Sequence, residues 1–232
     1  MIFRQLFDQE SWTYTYLLGD RDSREAVLID PVKGQVGAYL QLLNDLGLTL
    51  VAALDTHVHA DHITGLGELR EATGCRSWMG EQSAAPCVSA RFGEGSEIAF
   101  GRYRLQAVYT PGHTDDSYSF LLEADGQRYA FTGDTLLIRG TGRTDFQNGS
   151  ARDQYHSLFA KLLTLPDDTL VYPAHDYKGW TVSTIAEERA CNPRLQVVGE
   201  AAYVELMDNL KLPNPRLMDV AVPANRACGM SA

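Results

Sequence analysis

Four times along this chain an apolar run stops at a side chain able to bind a metal: AALDT before His57, AVYTPG before His113, YAFTG before Asp134 and LVYPA before His175. Runs of this length, rich in branched and aromatic residues, read as buried strands. If neighbouring strands end at one edge of a sheet, residues far apart in sequence meet in one crevice, where α/β sheets place their ligands. Gly112 and Gly133, each directly before one of these ends, let the backbone turn sharply at such a rim. The pattern therefore predicts strands that bring four ligand-type groups to one place.

The first ending is the densest. In 54-LDTHVHADHITGLGELR-70, His57, His59, Asp61 and His62 follow one another on what reads as a single loop between a strand and a helix. One histidine after a strand is ordinarily a turn or capping residue; H-x-H-x-D-H joined by three further strand ends points to a metal. Imidazole and carboxylate ligands suit zinc, iron, manganese or nickel, so the ligand types narrow the metal without choosing it. In a seven-ligand reading, His57, His59 and His113 hold one ion, Asp61, His62 and His175 a second, and Asp134 bridges them, as in a two-metal hydrolase. In a sparser reading, His57, His113 and Asp134 form the two-histidine, one-carboxylate set of non-haem Fe(II) oxygenases. The histidines alone leave both open. The sixth histidine, His156, falls in an expected helix and reads as a packing or surface residue.

Around these ends the chain alternates strands and helices. The runs 12-WTYTYLLGD-20 and 25-EAVLID-30 read as a hairpin, and 34-GQVGAYLQLLNDLG-47 repeats its apolar residues at helical spacing with Gly47 at the expected stop. Strand 50–56 leads to the histidine loop and a helix over 63–74. Two antiparallel strands are expected in 97–110 and a hairpin in 117–134 around Asp125-Gly126. A helix over 151–164, a strand over 169–174, a helix over 181–190 and an amphipathic stretch over 200–211, ending before Pro213, complete the reading. Mixed strands flanked by helices make the chain α/β and layered. We expect one unit spanning residues 1–232, with a helical extension from about residue 179.

A net charge of -10 opposes sequence-independent attraction to nucleic acid. No run is long and apolar enough for a membrane span, and MIFRQLFDQE lacks the order of a secretory signal, so a soluble cytoplasmic protein is expected. Cys75, Cys87, Cys191 and Cys228 lie far apart with no C-x-x-C pair, which suggests neither a thiolate zinc site nor a disulfide framework.

Together the histidine loop, TPGH, TGD and YPAH resemble the metallo-β-lactamase superfamily, and the resemblance implies an αββα sandwich with its metal site at one rim. Within it, 133-GDTLLIRGTGRTDFQNGS-150, 172-YPAHDYKGWTVSTIAEERACNPRL-195 and 222-VPANRACG-229 resemble the persulfide dioxygenases. The resemblance covers nearly the whole chain and is densest over the last hundred residues. It implies a mononuclear iron enzyme, with one Fe(II) per chain, that oxidises glutathione persulfide with O2 and water to sulfite and glutathione. By position His57, His113 and Asp134 would be the iron ligands. His59, Asp61, His62 and His175 would then lie just outside them, orienting ligands and tuning the metal.

Tyr177, close to the rim, is a candidate hydrogen-bond donor to a bound oxygen or sulfur species. Arg139, Arg143 and Lys178 are candidates for binding the two carboxylates of glutathione, with Arg143 equally able to serve as a structural partner of Asp145. After TPGHT the better-known family members carry a small Gly-Cys-containing segment, whereas this chain reads 114-TDDSYSF-120, so that Asp115 and Asp116 change the charge of the rim. A homodimer and a sulfurtransferase (rhodanese) partner are compatible with the resemblance. The alternative function is that of a glyoxalase II-like di-metal hydrolase of S-acylglutathione thioesters, on the same fold with both metal positions filled.

Overall fold

The computed structural model describes residues 1–212 and 217–230. Its first sheet runs β1 (Ile2–Phe7), β2 (Tyr14–Gly19), β3 (Glu25–Ile29), β4 (Thr49–Leu54), β5 (Arg76–Gly80) and β6 (Ala90–Phe92) in that spatial order. The first three strands are antiparallel and the rest parallel. Helices α1 (Val36–Leu46) and α2 (Leu66–Thr73) supply the crossovers between parallel strands β3, β4 and β5. The second sheet is a run of neighbours: β7 (Glu97–Phe100), β8 (Tyr103–Tyr109), β9 (Tyr118–Ala124), β10 (Gln127–Gly133), β11 (Leu170–Pro173) and β12 (Ser183–Thr184). All its pairings are antiparallel except β10 with β11. Helix α3 (Ala151–His156) makes that parallel crossover, and α4 (Ile185–Cys191), α5 (Gly199–Asp208) and α6 (Met218–Arg226) follow.

Three apolar layers show how the elements stack. Leu18, Val27, Ile29 and Leu54 from the first sheet pack with Phe92, Phe100, Phe120 and Phe131 between the sheets. Val36, Tyr39 and Leu43 of α1 and Leu66 and Leu69 of α2 cover the outer face of the first sheet, where Leu28 and Ala53 point. Leu158, Leu162, Ile185, Tyr203 and Met207 cover the second sheet around Val171. Helix, sheet, sheet, helix is the sandwich the sequence implies. At the far edge of the second sheet, alternate residues of β7 and β8 face solvent, with Ile98, Phe100, Tyr103 and Leu105 turned inward and Glu97, Arg104 and Gln106 outward.

Gly47 ends α1 in the left-handed conformation, at φ 61°. Asp125 and Gly126, at φ 52° and 80°, form the turn between β9 and β10. Other boundaries shift for local reasons. Helix α2 starts at Leu66, not at 63, because residues 63–65 bond elsewhere: Lys33 N–H donates to the Ile63 carbonyl, Thr64 N–H to Asn225 and Gly65 N–H to the Pro31 carbonyl. The helix expected over 151–164 is regular only to His156, then widens at Ser157–Lys161 and tightens at Leu162–Thr164. The helix expected from 181 starts at Ile185, capped by Thr184, whose hydroxyl accepts the Glu187 N–H at 3.1 Å. Strands β1, β5, β6 and β12 and helix α6 are additions to the sequence reading, and Pro213 lies outside the described residues.

The cysteines require a correction. Cys87, in the loop before β6, and Cys228, just beyond α6, form a disulfide across 141 residues of sequence. Only the fold brings them to a Cα separation of 5.9 Å, so spacing in the sequence carries no sign of the pair.

Candidate metal centre

The ligand-type residues do converge, but from both sheets. His57 leaves the end of β4 in the first sheet, whereas His113, Asp134 and His175 follow β8, β10 and β11 in the second. The common rim is the open edge of the sandwich. One potential ligand atom from each of His57, His113 and Asp134 lies within 4.8 Å of the others. A second group with the same property is His59, Asp61, His62 and His175.

Backbone turns aim these side chains. Gly112 has φ 138°, and a Cβ there would lie 2.3 Å from the backbone of Gln154, so the chain bends into His113 where only glycine fits. At Gly142 a Cβ would lie 2.3 Å from the Asp134 carbonyl and 2.7 Å from His113 Nδ1, so the backbone there closes directly over the site. The histidine loop is gripped from three sides. Asp30 accepts the Thr56 N–H at 2.7 Å and Asp116 the Val58 N–H at 3.0 Å, while Gln147 donates to the Val58 carbonyl at 2.7 Å. Asn225 donates to the carbonyls of His59 and His62, at 2.9 and 2.8 Å, and accepts the Thr64 N–H at 2.8 Å.

The hydrogen bonds also fix tautomers. The Thr56 hydroxyl lies 3.1 Å from a carboxylate oxygen of Asp30 and 2.9 Å from His57 Nδ1. Its one proton goes to the carboxylate, so its oxygen accepts from His57 Nδ1–H and leaves the Nε2 lone pair inward. His113 Nδ1–H donates to the Arg143 carbonyl at 2.7 Å, which frees its Nε2 in the same way. Burial, with His59 and His113 nearby, holds the His57 imidazole well below its ordinary range and therefore neutral. Burial alone would raise the Asp134 carboxyl, but the charge and hydrogen bond of His175 hold it well below the usual carboxylate range. A neutral His57 imidazole, a His113 ring held by its Nδ1–H and an ionised Asp134 carboxylate, each fixed from outside, present donor atoms suited to a metal.

His175 is built differently. Its Nδ1 donates to Asp134 Oδ1 at 2.6 Å and its Nε2 to Asp61 Oδ2 at 2.7 Å. Burial opposes its charge, but the two carboxylates push its pKa well above the ordinary range, so it sits as an imidazolium between the two groups. Asp61 Oδ2 also lies 2.9 Å from His62 Nδ1 and 3.1 Å from the Thr13 hydroxyl. His59 Nε2 bonds Asp30 Oδ1 at 3.1 Å; burial would lower this imidazole, but Asp30 raises it to about 9. Among the described residues, the buried nitrogens His59 Nδ1 and His62 Nε2 have no hydrogen-bond partner, and His59 Nδ1 stands 3.8 Å from Asp61 Oδ1. Asp30, Asp55 and His59 form a third cluster, where burial pushes the Asp55 carboxyl up to about 8.

The candidate residues around the rim divide by the partners they hold. Tyr177 is 63% exposed, its ring parallel to that of His175 with centroids 6.2 Å apart and in contact with Trp12. The Arg139 guanidinium pairs with Glu187 and with the fully buried Glu188. Arg143 grips Asp145 with two bonds of 2.6 and 2.7 Å. The Lys178 ammonium stands 4.9 Å over the Trp180 ring, and among the described residues no carboxylate pairs with it. His156, on the surface, pairs with Glu200. Thr13, Asp30, Thr56, Gln147 and Asn225 are the supporting residues that sequence reasoning missed. Asp30 alone had a signal, since EAVLID is one more apolar run ending at a carboxylate.

The model of the metallo-β-lactamase superfamily matches residues 13–175. The mouse protein named persulfide dioxygenase ETHE1, mitochondrial, is 53% identical over 231 residues, covering 99% of this chain and 89% of that one. The crystal structure of ETHE1 from Myxococcus xanthus superposes with a TM-score of 0.95 at 55% identity, over 99% of this chain and 100% of that chain. A more distant structure, TTHA1623 in a di-iron-bound form, gives a TM-score of 0.67 at 26% identity, over 82% of this chain and 98% of that one. Matched over nearly its full length both in sequence and in fold, the chain belongs to the metallo-β-lactamase superfamily and, within it, to the persulfide dioxygenases, which are sulfur-oxidising oxidoreductases.

Proposed function

We propose that this protein is a mononuclear non-haem iron dioxygenase. It oxidises glutathione persulfide with one O2 and one water to sulfite and glutathione, with one Fe(II) per chain held by His57, His113 and Asp134. The observation that carries the reading is the asymmetry of the two ligand groups. His57, His113 and Asp134 each have one atom fixed by the protein and another left inward, whereas His175 commits both ring nitrogens to Asp134 and Asp61. Iron bound there supplies the redox chemistry that O2 requires and zinc lacks.

The chain's own residues prepare that site. His175 orients the Asp134 carboxylate and keeps it ionised. The carbonyl of Arg143 and the hydroxyl of Thr56 hold the two imidazoles in ligating tautomers. Tyr177 and Trp12 wall the approach from one side, and the Tyr177 hydroxyl is the donor assigned to the sulfur or oxygen end of the substrate. Of the three cations considered for the glutathione carboxylates, Lys178 fits best, because Arg139 and Arg143 already hold protein carboxylates.

A second reading has one specific observation behind it. The unpartnered His59 Nδ1 and His62 Nε2 lie within the second ligand group, which a second ion would satisfy, and the similar protein TTHA1623 was solved in a di-iron-bound form. In that reading the site resembles the di-metal thioesterase alternative. The deciding experiment is oxygen uptake by anaerobically purified, Fe(II)-loaded protein given glutathione persulfide, with sulfite and metal measured on the same sample. Uptake matched by sulfite at about one iron per chain establishes the proposal. No uptake, with two metals per chain and hydrolysis of S-lactoylglutathione, overturns it.

A further inference from the structure

The disulfide joins the surface loop before β6 to the segment that holds the histidine loop in place. Asn225, three residues before Cys228, makes the three bonds to His59, His62 and Thr64. The Cys228 carbonyl accepts the Gly67 N–H at 2.9 Å, and Lys33 donates to the Gly229 carbonyl. The backbone packs so closely that a Cβ at Gly229 would lie 2.0 Å from the Thr64 carbonyl, and one at Gly67 would lie 2.5 Å from the Met230 side chain. Residues 225–230 thus clasp the loop that carries His57, His59, Asp61 and His62. The bond from Cys228 to Cys87 ties this clasp covalently to the loop before β6.

We propose that the Cys87–Cys228 bridge is a thiol–disulfide exchange site through which low-molecular-weight thiols and disulfides set the grip of the C-terminal segment on the histidine loop. Cys228 is fully buried, whereas Cys87 is half-buried in a surface loop, so an incoming thiolate meets the Cys87 sulfur. That attack forms a mixed disulfide at Cys87, breaks the bond to Cys228 and leaves Cys228 as a thiolate that takes up the proton of the incoming thiol. A second thiol then displaces Cys87. In sum, two thiols become one small disulfide, and their two electrons and two protons leave both cysteines reduced. A small disulfide reverses the steps. The Arg70 guanidinium donates to the Cys87 carbonyl and to the Ser77 hydroxyl, which fixes the backbone of the loop at the exchanging cysteine. Cys75, buried, and Cys191, exposed, are the free cysteines and take no part.

The test equilibrates the metal-loaded full chain in glutathione buffers of graded redox ratio, followed by acid quench, alkylation and mass mapping. In the reducing buffers Cys87 and Cys228 become alkylated together, while in the oxidising buffers only Cys75 and Cys191 do. In the same samples, amide hydrogen exchange across residues 57–67 and metal release to a chelator are about fivefold or more faster in the reduced form. The Cys87→Ser variant behaves like the reduced chain in every buffer; the redox series on the unmutated chain carries the test on its own should that variant not fold. Alkylation of both cysteines in every buffer overturns the proposal. So does a bridge that opens and closes with no change in loop exchange or metal release, since it would then be a fixed staple far from the site's control.

Discussion

The Nδ1–H of His175 donates to Oδ1 of Asp134 at 2.6 Å, and this bond links the two groups of metal-type residues into one unit. Without it Asp134 loses the contact that fixes its rotation and the charge and hydrogen bond that offset its burial and hold its carboxyl low. The His175→Ala variant is therefore expected to bind metal about 10- to 100-fold more weakly, the usual cost of losing a partner just outside a ligand. A chelator competition measures it. Affinity equal to that of the unmutated protein would show that the carboxylate needs no partner beyond the metal and the Gly142 N–H on the Asp134 backbone carbonyl.

Asp134→Ala and His62→Ala separate the one-metal from the two-metal arrangement. In the proposed one-iron arrangement Asp134 is a direct ligand, so the first variant is expected to purify nearly metal-free. His62 lies in the other group, its Nδ1 bonded to Asp61 and its Nε2 unpartnered, and His62→Ala is expected to keep most of its metal. Metal per chain, determined on both after identical loading, decides. Equal losses would favour the two-ion reading.

The sequence exposed the site to the extent that chemistry sat at strand ends. His57, His113, Asp134 and His175 are visible because polar ligand types cut off apolar runs, a break in pattern that needs no third dimension. What the pattern cannot say is which sheet each run joins, and here β4 belongs to one sheet and β8, β10 and β11 to the other. Asn225 was illegible for a related reason. An asparagine within VPANRACG has no local signature for a bond to a backbone amide 161 residues earlier. The short edge strand β6 and the Cys87–Cys228 pair likewise exist only through contacts distant in sequence. Asp30 marks the middle case, since it ends EAVLID as a ligand would but stands before Pro31, where an aspartate also reads as a turn.

Gly112 and Gly126 offer a paired test of the rim. Both have positive φ, but a Cβ at Gly126 meets nothing within 4 Å, while one at Gly112 would lie 2.3 Å from the Gln154 backbone. Gly126→Ala is expected to cost only the left-handed penalty of about 1–2 kcal/mol. Gly112→Ala adds a backbone collision beside His113 and is expected to cost more than about 4 kcal/mol, in the exceptional range for a point mutation. Urea unfolding of the two variants gives the comparison. Similar midpoints would mean that the helix α3 end moves aside freely.

Arg139 and Arg143 are both candidates for the substrate carboxylates, yet their partners predict different consequences. Arg139 faces Glu188, which is fully buried and also accepts from the Ser183 hydroxyl and the Asn192 amide, at 2.6 and 2.9 Å. Arg139→Ala leaves that carboxylate inside without its cation, a loss of about 3–5 kcal/mol of stability, and Glu188→Gln in the same chain is expected to recover part of it. Asp145, the partner of Arg143, is more than half exposed, so Arg143→Ala is expected to cost at most about 1 kcal/mol. Denaturation midpoints and persulfide kinetics on the same preparations separate structure from recognition. A stable Arg139→Ala protein with a raised KM for glutathione persulfide would return Arg139 to the substrate, whereas an unstable one with unchanged KM places it in the frame that carries β12 and α4.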